Sequence, residues 1–234
     1  MIKHILFDLD GTLLPMVQDE FVEHYFGLLA KKFAPVINPK ILIDAMWKGV
    51  EAMLKNDGSR TNEEAFWNCF GKLIPLSREK MEAELQEFYT VDFNEVIAST
   101  HPSPHAPEIV SKLKNIERNV YLATNPIFPR CATLSRIRWA GLSAEDFEEI
   151  TTYETCRYSK PNVLYFQDLL EKYHLNPEEC LMIGNDPADD LVIRQLGVKT
   201  YLVTDYIENR QHLPLESDYL GSLEELKNTI LTII

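Results

Sequence analysis

An apolar run that ends in two acids, a glycine and a threonine constrains the fold more than any other part of this chain. Residues 5–14 read Ile-Leu-Phe-Asp-Leu-Asp-Gly-Thr-Leu-Leu. Side chains alternate in direction along a strand, so Asp8 and Asp10 are predicted to project together while Leu9 faces the core. Gly11 then permits a turn that a residue with a Cβ resists. Two parallel carboxylates repel each other unless a cation binds between them. A divalent cation such as Mg²⁺, which takes only a few protein oxygens, is the usual occupant of such a site.

Composition and charge exclude several classes of partner. The chain has 234 residues, of which 45% are apolar, and a formal net charge of -13. This acidity argues against a nucleic acid polymer and an anionic membrane surface as partners. No apolar stretch approaches the roughly 20 residues of a membrane span, and no cleavable signal precedes the first strand. We therefore expect a cytoplasmic protein, in which a bound metal and a few local cations still allow an anionic small molecule to bind.

The four cysteines carry no metal or disulfide pattern. They are widely scattered and include no CxxC pair, being Cys69, Cys131, Cys156 and Cys180. We expect free and mostly buried thiols in a reducing compartment.

The segment from about Gln18 to Tyr89 has helical periodicity throughout. Asn38 and Pro39 predict the start of a second helix, and a capping-box pattern at Thr61–Glu64 predicts the start of a third. The third helix is predicted to continue over 65–73, and a last helix is predicted over 77–89. Four helices with no strand between them interrupt the β/α order, so residues 16–95 are predicted to form an inserted, all-helical cap domain.

The rest of the chain alternates between strands and helices. Helices are predicted over 105–115, 129–140, 161–173, 188–195 and 222–231, and strands over 119–124, 147–151, 180–184 and 199–203. The short apolar runs suit strands that are buried on both faces. The expected fold class is α/β, with residues 1–15 and 96–234 forming a Rossmann-like, three-layer core around a parallel sheet.

Polar residues follow several of these strands, at the sheet edge where α/β proteins bind ligands. Thr124 and Asn125 end one strand, Lys160 precedes a proline that can begin a helix, and three acids crowd residues 184–190. A lysine held at such a place can offset the charge of two carboxylates and a phosphate.

These residues resemble the four ordered motifs of the haloacid dehalogenase-like (HAD) hydrolase superfamily. The motifs are Asp8-x-Asp10-Gly11-Thr12, Thr124, Lys160-Pro161 and Gly184-Asn185-Asp186-x-x-x-Asp190. The helical insert is similar to the cap of the phosphoglycolate phosphatase and β-phosphoglucomutase branch. Asn185 is a departure, since many relatives read Gly-Asp directly, and it leaves open which of the last three acids bind metal. Asp186 is preferred as the direct ligand with Asp190 in support, whereas Asp189 is expected to be solvated.

The resemblance implies hydrolysis of a small-molecule phosphate monoester with Mg²⁺ as cofactor. Asp8 would attack phosphorus and form an aspartyl-phosphate, and Asp10 would act as general acid and base. Thr124, Asn125 and Gly11 would contact the phosphoryl group, and Lys160 would orient Asp8. Metal ligands would come from Asp8, Asp10, Asp186 and Asp190 (for Asp10, its backbone carbonyl).

Two other classes of protein fit the sequence less well than a phosphatase. Dehalogenases of the superfamily lack an acid at the position of Asp10, and signalling receiver domains lack the cap insert and are shorter. A phosphomutase on the same core, or a weakly catalytic HAD-like binding protein, stays open as an alternative. The residues do not name the substrate, and a monomer is the default expectation with a dimer as its alternative.

The predicted cap contains candidates for substrate selection. Four aromatic residues of this segment are able to line a pocket, although helical aromatics are more often part of a core: Tyr25, Trp47, Phe66 and Trp67. Arg60 lies in a predicted cap loop and is expected to be exposed to solvent.

Overall fold

Six parallel strands form the central sheet of the computed structural model, which describes residues 1–234. The strands are β1 (His4–Phe7), β2 (Asn119–Leu122), β3 (Glu149–Ile150), β4 (Cys180–Gly184), β5 (Lys199–Val203) and β6 (Tyr219–Gly221). Their order across the sheet is β3-β2-β1-β4-β5-β6. The chain therefore places β2 and β3 on one side of β1 and then β4, β5 and β6 on the other. The carboxyl end of β1 lies at the switch point where ligands bind in such sheets.

The register of β1 with its neighbours brings three strand ends together. Phe7 pairs with Leu122 of β2 and with Ile183 of β4. The residues that follow these three strands consequently lie side by side at one sheet edge. This is the geometric reason why residues 8–10, 124–125 and 184–190 meet although they are far apart in sequence.

Helices cover both faces of the sheet, as the three-layer prediction requires. The helices after the helical insert are α5 (His105–Asn115), α6 (Arg130–Trp139), α7 (Val163–Lys172) and α8 (Leu223–Ile233). Ile5 belongs to a buried apolar cluster of 46 residues and the adjacent Leu6 to a separate cluster of 12. Because successive strand residues point to opposite faces, the two clusters lie on opposite sides of the sheet.

Four helices form the insert between β1 and β2. They are α1 (Gln18–Phe33), α2 (Pro39–Leu54), α3 (Asn62–Phe70) and α4 (Arg78–Thr90). Asn38 caps α2, and Thr61 and Glu64 form the predicted capping box of α3. The division into a core domain and a cap domain remains a prediction.

Some elements differ from the sequence-based expectation. The helix predicted over 188–195 is a 3₁₀ helix at Leu191–Leu196, and the strand predicted over 147–151 has only two residues, Glu149–Ile150. A 3₁₀ helix at Asp92–Ser99 and strand β6 were not predicted. The cysteines are free, but only Cys180 is buried, so the expectation of mostly buried thiols was wrong. None of the helices combines the length and the apolar character needed to span a membrane.

Candidate active site

A polar cleft of about 420 Å³ lies at the carboxyl ends of β1, β2 and β4. Every residue named for the site by its sequence pattern lines it: Asp8, Asp10, Gly11, Thr124, Asn125, Lys160, Asp186 and Asp190. Asp189, which was expected to be solvated, lines it as well and accepts a hydrogen bond from the Asn125 amide at 3.1 Å. That expectation was wrong because the loop after β4 folds back against the loop after β2.

Lys160 lies between two carboxylates at the base of the cleft. Its Nζ donates to Asp8 Oδ1 at 2.9 Å and to Asp190 Oδ1 at 2.6 Å, and its side chain is only 1% exposed. Burial alone lowers the pKa of a lysine, but here the Asp190 and Asp8 carboxylates outweigh it and raise the pKa well above its usual value. Lys160 therefore stays charged and fixes the orientation of Asp8.

The loop after β4 places Asp190 beneath Lys160. Asp190 Oδ2 accepts the backbone N–H groups of Asn185 and Asp186, each at 3.0 Å. A Cβ on Gly184 would lie 2.1 Å from Asp190 Oδ2, so this carboxylate approaches the strand end only because residue 184 is glycine. Residues 184–190 thus form a turn in which the Asp190 carboxylate accepts hydrogen bonds from the start of the same loop.

Asn185 ties this loop to the turn after β1. Its Oδ1 accepts from the Thr12 hydroxyl at 3.2 Å, and its amide donates to the Tyr206 carbonyl at 2.6 Å. Gly11 has a φ of +83°, and a Cβ there would meet the Asn185 amide. Asn185 therefore holds the loop after β4 against the turn after β1 and against the segment after β5.

Thr124 is held by its backbone and presents its side chain to the cleft. Its carbonyl accepts from the Thr151 hydroxyl at 2.7 Å and from the Tyr165 hydroxyl at 3.0 Å. Neither bond uses the Thr124 hydroxyl, which is left to contact a ligand.

Arg136 is a buried partner of Asp10 that the sequence analysis did not identify. It lies on α6, is 1% exposed, forms an ion pair with Asp10 Oδ2 and stacks 4.4 Å from the centre of the Phe128 ring. The other oxygen, Asp10 Oδ1, is buried and has no hydrogen-bond partner in the protein. Asp10 is thus held by one oxygen and leaves the other for a ligand. The sequence offers no sign that distinguishes Arg136 from its neighbours Arg130 and Arg138.

Burial raises the pKa of several carboxylates that line the cleft. Desolvation raises the pKa of Asp8, and the Lys160 ammonium opposes it. Desolvation likewise raises the pKa of Asp10 against the opposing charge of Arg136. It raises the pKa of Asp189 to about 7. Asp8 and Asp10 differ in their partners. Asp8 lies beside Lys160 and is suited to attack as an anion, whereas Asp10 is suited to carry a proton.

The charges of the cleft fit a divalent cation. Its lining contains seven acids (Asp8, Asp10, Asp19, Asp186, Asp189, Asp190 and Glu208) and two bases (Lys160 and Arg210). An anionic ligand is repelled by this excess unless a cation accompanies it.

The donor set is small but suits Mg²⁺. No three His, Cys, Asp or Glu side chains are arranged to hold a metal by themselves. Asp8 and Asp186 each direct one oxygen into hydrogen bonds within the protein, to Lys160 and to the backbone of residues 188–189 respectively, and keep the second free. Two carboxylates with a backbone carbonyl are enough for Mg²⁺, which keeps several waters.

Comparison with known proteins identifies the family of the chain. A family model described as haloacid dehalogenase-like hydrolase matches residues 2–197. The chain is 24% identical to the pyrophosphatase PpaX of Oceanobacillus iheyensis over 237 residues, covering 100% of this chain and 97% of that protein. It is 25% identical to a phosphoglycolate phosphatase of Vibrio vulnificus, covering 98% and 96%. A solved 2-haloacid dehalogenase of Pseudomonas syringae superposes with a TM-score of 0.63 at 18% identity over the full length of both chains, a likeness of fold alone.

Proposed function

The chain belongs to the haloacid dehalogenase-like hydrolases, and from that membership we propose that it hydrolyses a phosphate monoester through an aspartyl-phosphate on Asp8. The observation that carries the proposal is the meeting of Asp8, Asp10 and Lys160 in one acidic cleft, with Lys160 at 2.9 Å from Asp8. The names of the relatives, a pyrophosphatase and phosphoglycolate phosphatases, support attack on phosphorus.

Asp8 is the nucleophile of this proposal. Its position at the end of β1 is fixed by its backbone N–H, which donates to the Ile183 carbonyl at 2.9 Å, and by the bond from Lys160. Attack forms a bond between an Asp8 oxygen and phosphorus and breaks the bond to the alcohol oxygen. Forming a covalent intermediate divides one difficult displacement into two easier ones.

Asp10 is the general acid and base. In the first step its proton goes to the leaving alkoxide, and in the second it takes a proton from the water that attacks the aspartyl-phosphate. Desolvation raises its pKa, which favours the protonated form needed first. The Arg136 guanidinium holds one oxygen of Asp10, which leaves the unpartnered Oδ1 to exchange the proton. An acid at this position is of no use when the leaving group is a halide, so Asp10 also favours phosphatase over dehalogenase chemistry.

Mg²⁺ is the proposed cofactor. The Asp8 and Asp186 carboxylates and the Asp10 carbonyl would hold it, and Asp190 would support Asp186 through the loop. When bound, it would neutralise charge on the phosphoryl oxygens. Lys160 and the Thr124 hydroxyl would contact the same oxygens, and the turn at Gly11 and Asn125 would complete the phosphate site.

The test is phosphate release from p-nitrophenyl phosphate with Mg²⁺ or with EDTA. We expect turnover that EDTA removes and that Asp8→Asn reduces by at least about 10³-fold, as expected for loss of a nucleophile. Asp44→Asn is the matched control, because Asp44 is an exposed aspartate that pairs only with Lys48. Turnover that persists in Asp8→Asn would contradict the proposal.

A further inference from the structure

A second and larger cavity opens next to the phosphate cleft. It has a volume of about 810 Å³ and lies between the four helices of the insert and the segment after β2. Five residues line both spaces, namely Gln18, Val22, Trp47, Ile127 and Phe128. A molecule whose phosphoryl group contacts Asp8 can therefore extend past these residues into the second cavity.

The walls of this cavity are mostly apolar. Hydrophobic residues account for 17 of the 24 that line it, and its rings include those of Phe21, Tyr25, Phe66, Trp67 and Tyr89. Volumes of roughly 300–1,000 Å³ with apolar walls and a few polar groups are typical of small-molecule sites. Filling such a space with an apolar group removes apolar surface of both partners from water.

The charged residues of the cavity disfavour a second anion. Three acids line it, Glu63, Glu82 and Glu154, against one base, Arg130. The Glu154 carboxylate already accepts the Arg130 backbone N–H at 2.8 Å. A leaving group with a carboxylate or phosphate would thus add negative charge to an acidic space of low polarity, which costs free energy.

Two residues that line the cavity, Trp67 and Glu154, each have a buried polar atom without a hydrogen-bond partner. These atoms are Trp67 Nε1, which donates, and Glu154 Oε2, which accepts. Buried polar atoms are usually hydrogen-bonded, so each of these two side chains keeps an unused hydrogen-bonding group beside the cavity.

We propose that the substrate is a phosphate monoester of a bulky, apolar alcohol without negative charge, whose hydrocarbon or ring part occupies this cavity. The inference rests on the proposed phosphatase function and specifies its leaving group. It separates this chain from two of the reactions named for its relatives, because the leaving groups of pyrophosphate and phosphoglycolate are small and anionic.

The first experiment compares esters of matched reactivity. Ethyl phosphate and 2-(2-naphthyl)ethyl phosphate both release a primary alkoxide, so a difference in kcat/KM reports binding of the organic group. We expect the naphthyl ester to be preferred by at least about tenfold, as for burial of several apolar carbons. A 4-carboxylate on 2-phenylethyl phosphate is expected to lower kcat/KM by about tenfold relative to the unsubstituted phenyl ester.

A pair of variants then localises the effect. Ala83 is an exposed residue of α4 that lines the cavity, so Ala83→Trp fills the space without disturbing a buried side chain. We expect this variant to lower the naphthyl-to-ethyl ratio of kcat/KM. Lys80→Trp adds the same side chain to an exposed position of α4 outside the cavity and is expected to leave the ratio as in the wild type.

The outcomes distinguish this inference from the proposed function. Turnover that depends on Asp8 but is equal for all esters would overturn the inference and leave the phosphatase function standing. Binding of 2-(2-naphthyl)ethanol to Asp8→Asn, followed by fluorescence, gives a readout that needs no turnover, and Ala83→Trp in that background should weaken it. Absence of binding would overturn the inference whether or not phosphate is released.

Discussion

A methyl group at residue 184 would occupy the place of the Asp190 carboxylate. The Cβ of Gly184→Ala would lie 2.1 Å from Asp190 Oδ2, and moving Asp190 breaks its bond to Lys160. We expect a loss of about 1–3 kcal/mol in the free energy of unfolding in urea, as for overpacking of a filled site, together with reduced kcat. Gly27→Ala in α1 is the control, because nothing lies within 4 Å of its new Cβ and alanine favours a helix. Equal stability of the two variants would contradict the role assigned to Gly184.

Arg136 is expected to act on the reaction through Asp10. Removing its charge in Arg136→Met leaves a buried carboxylate unpaired, which typically costs about 3–5 kcal/mol. In an Asp10→Asn background no charge is left unpaired, so we expect Arg136→Met to cost less there by about 1–3 kcal/mol. Urea unfolding of the four proteins measures this coupling energy.

Kinetic measurements on Arg136 variants distinguish a role in positioning Asp10 from a role in stability alone. We expect Arg136→Lys, which keeps the charge, to retain more kcat than Arg136→Met, with KM similar in both. Two results together would show that Arg136 only fills space. They are additive unfolding free energies for Arg136→Met and Asp10→Asn, and equal kcat for Arg136→Lys and Arg136→Met.

The individual site residues differ in how far the sequence could reveal them. Asp8, Asp10 and Lys160 were predicted because they stand in ordered motifs at predicted strand ends and loops that resemble those of the HAD-like hydrolases. Arg136 was not, because a buried arginine in a helix resembles a surface arginine until its partner is known. The inward orientation of Asp190 could not be predicted from the sequence either. It depends on the backbone N–H groups of Asn185 and Asp186, which donate to the Asp190 carboxylate.

At the scale of elements, prediction succeeded where burial is complete and failed at the sheet edges. β4 and β5 lie within their predicted ranges, because their apolar runs at 180–183 and 201–203 specify buried strands. β6 is an edge strand of three residues, Tyr219–Gly221, in which Leu220 is 53% exposed. Its pairing depends on β5 more than on its own composition, so its residues alone gave no signal.

The start of α3 connects the helical insert to two loops of the site. Asn62 is fully buried, and its amide donates to the Pro126 carbonyl at 3.1 Å and the Ser159 hydroxyl at 3.0 Å. Pro126 follows Thr124 and Asn125, and Ser159 precedes Lys160. One side chain therefore positions the insert against both loops.

Asn62→Ala should consequently weaken the whole structure. It leaves two buried acceptors unpaired, and we expect a loss of about 1–3 kcal/mol in the free energy of unfolding. Asn68→Ala makes the same chemical change at an exposed position of α3 and should cost less than about 0.5 kcal/mol. Thermal or urea unfolding of both variants measures the difference, and equal losses would refute the bridging role of Asn62.

At the scale of the whole molecule, the distribution of charge links stability to the metal. The chain carries a net charge of -13, and seven acids surround one cleft with two bases. Folding brings these carboxylates together, and burial raises the pKa of Asp8, Asp10, Asp186 and Asp189. A cation that binds only the folded state relieves this repulsion and must stabilise the fold by mass action.

Mg²⁺ is therefore expected to stabilise the protein even without substrate. At a concentration of 100 times its Kd, the free energy of unfolding should rise by about 2.7 kcal/mol, and EDTA should abolish the gain. The Mg²⁺-dependent increment is the quantity to compare, because Asp186→Asn also removes repulsion in the metal-free protein. Asp186→Asn should lose most of the increment, whereas the surface variant Asp44→Asn should keep it, with KCl added to equalise ionic strength. An increment that is the same in all three proteins would mean that Mg²⁺ acts by screening the net charge and not by binding at the end of β1.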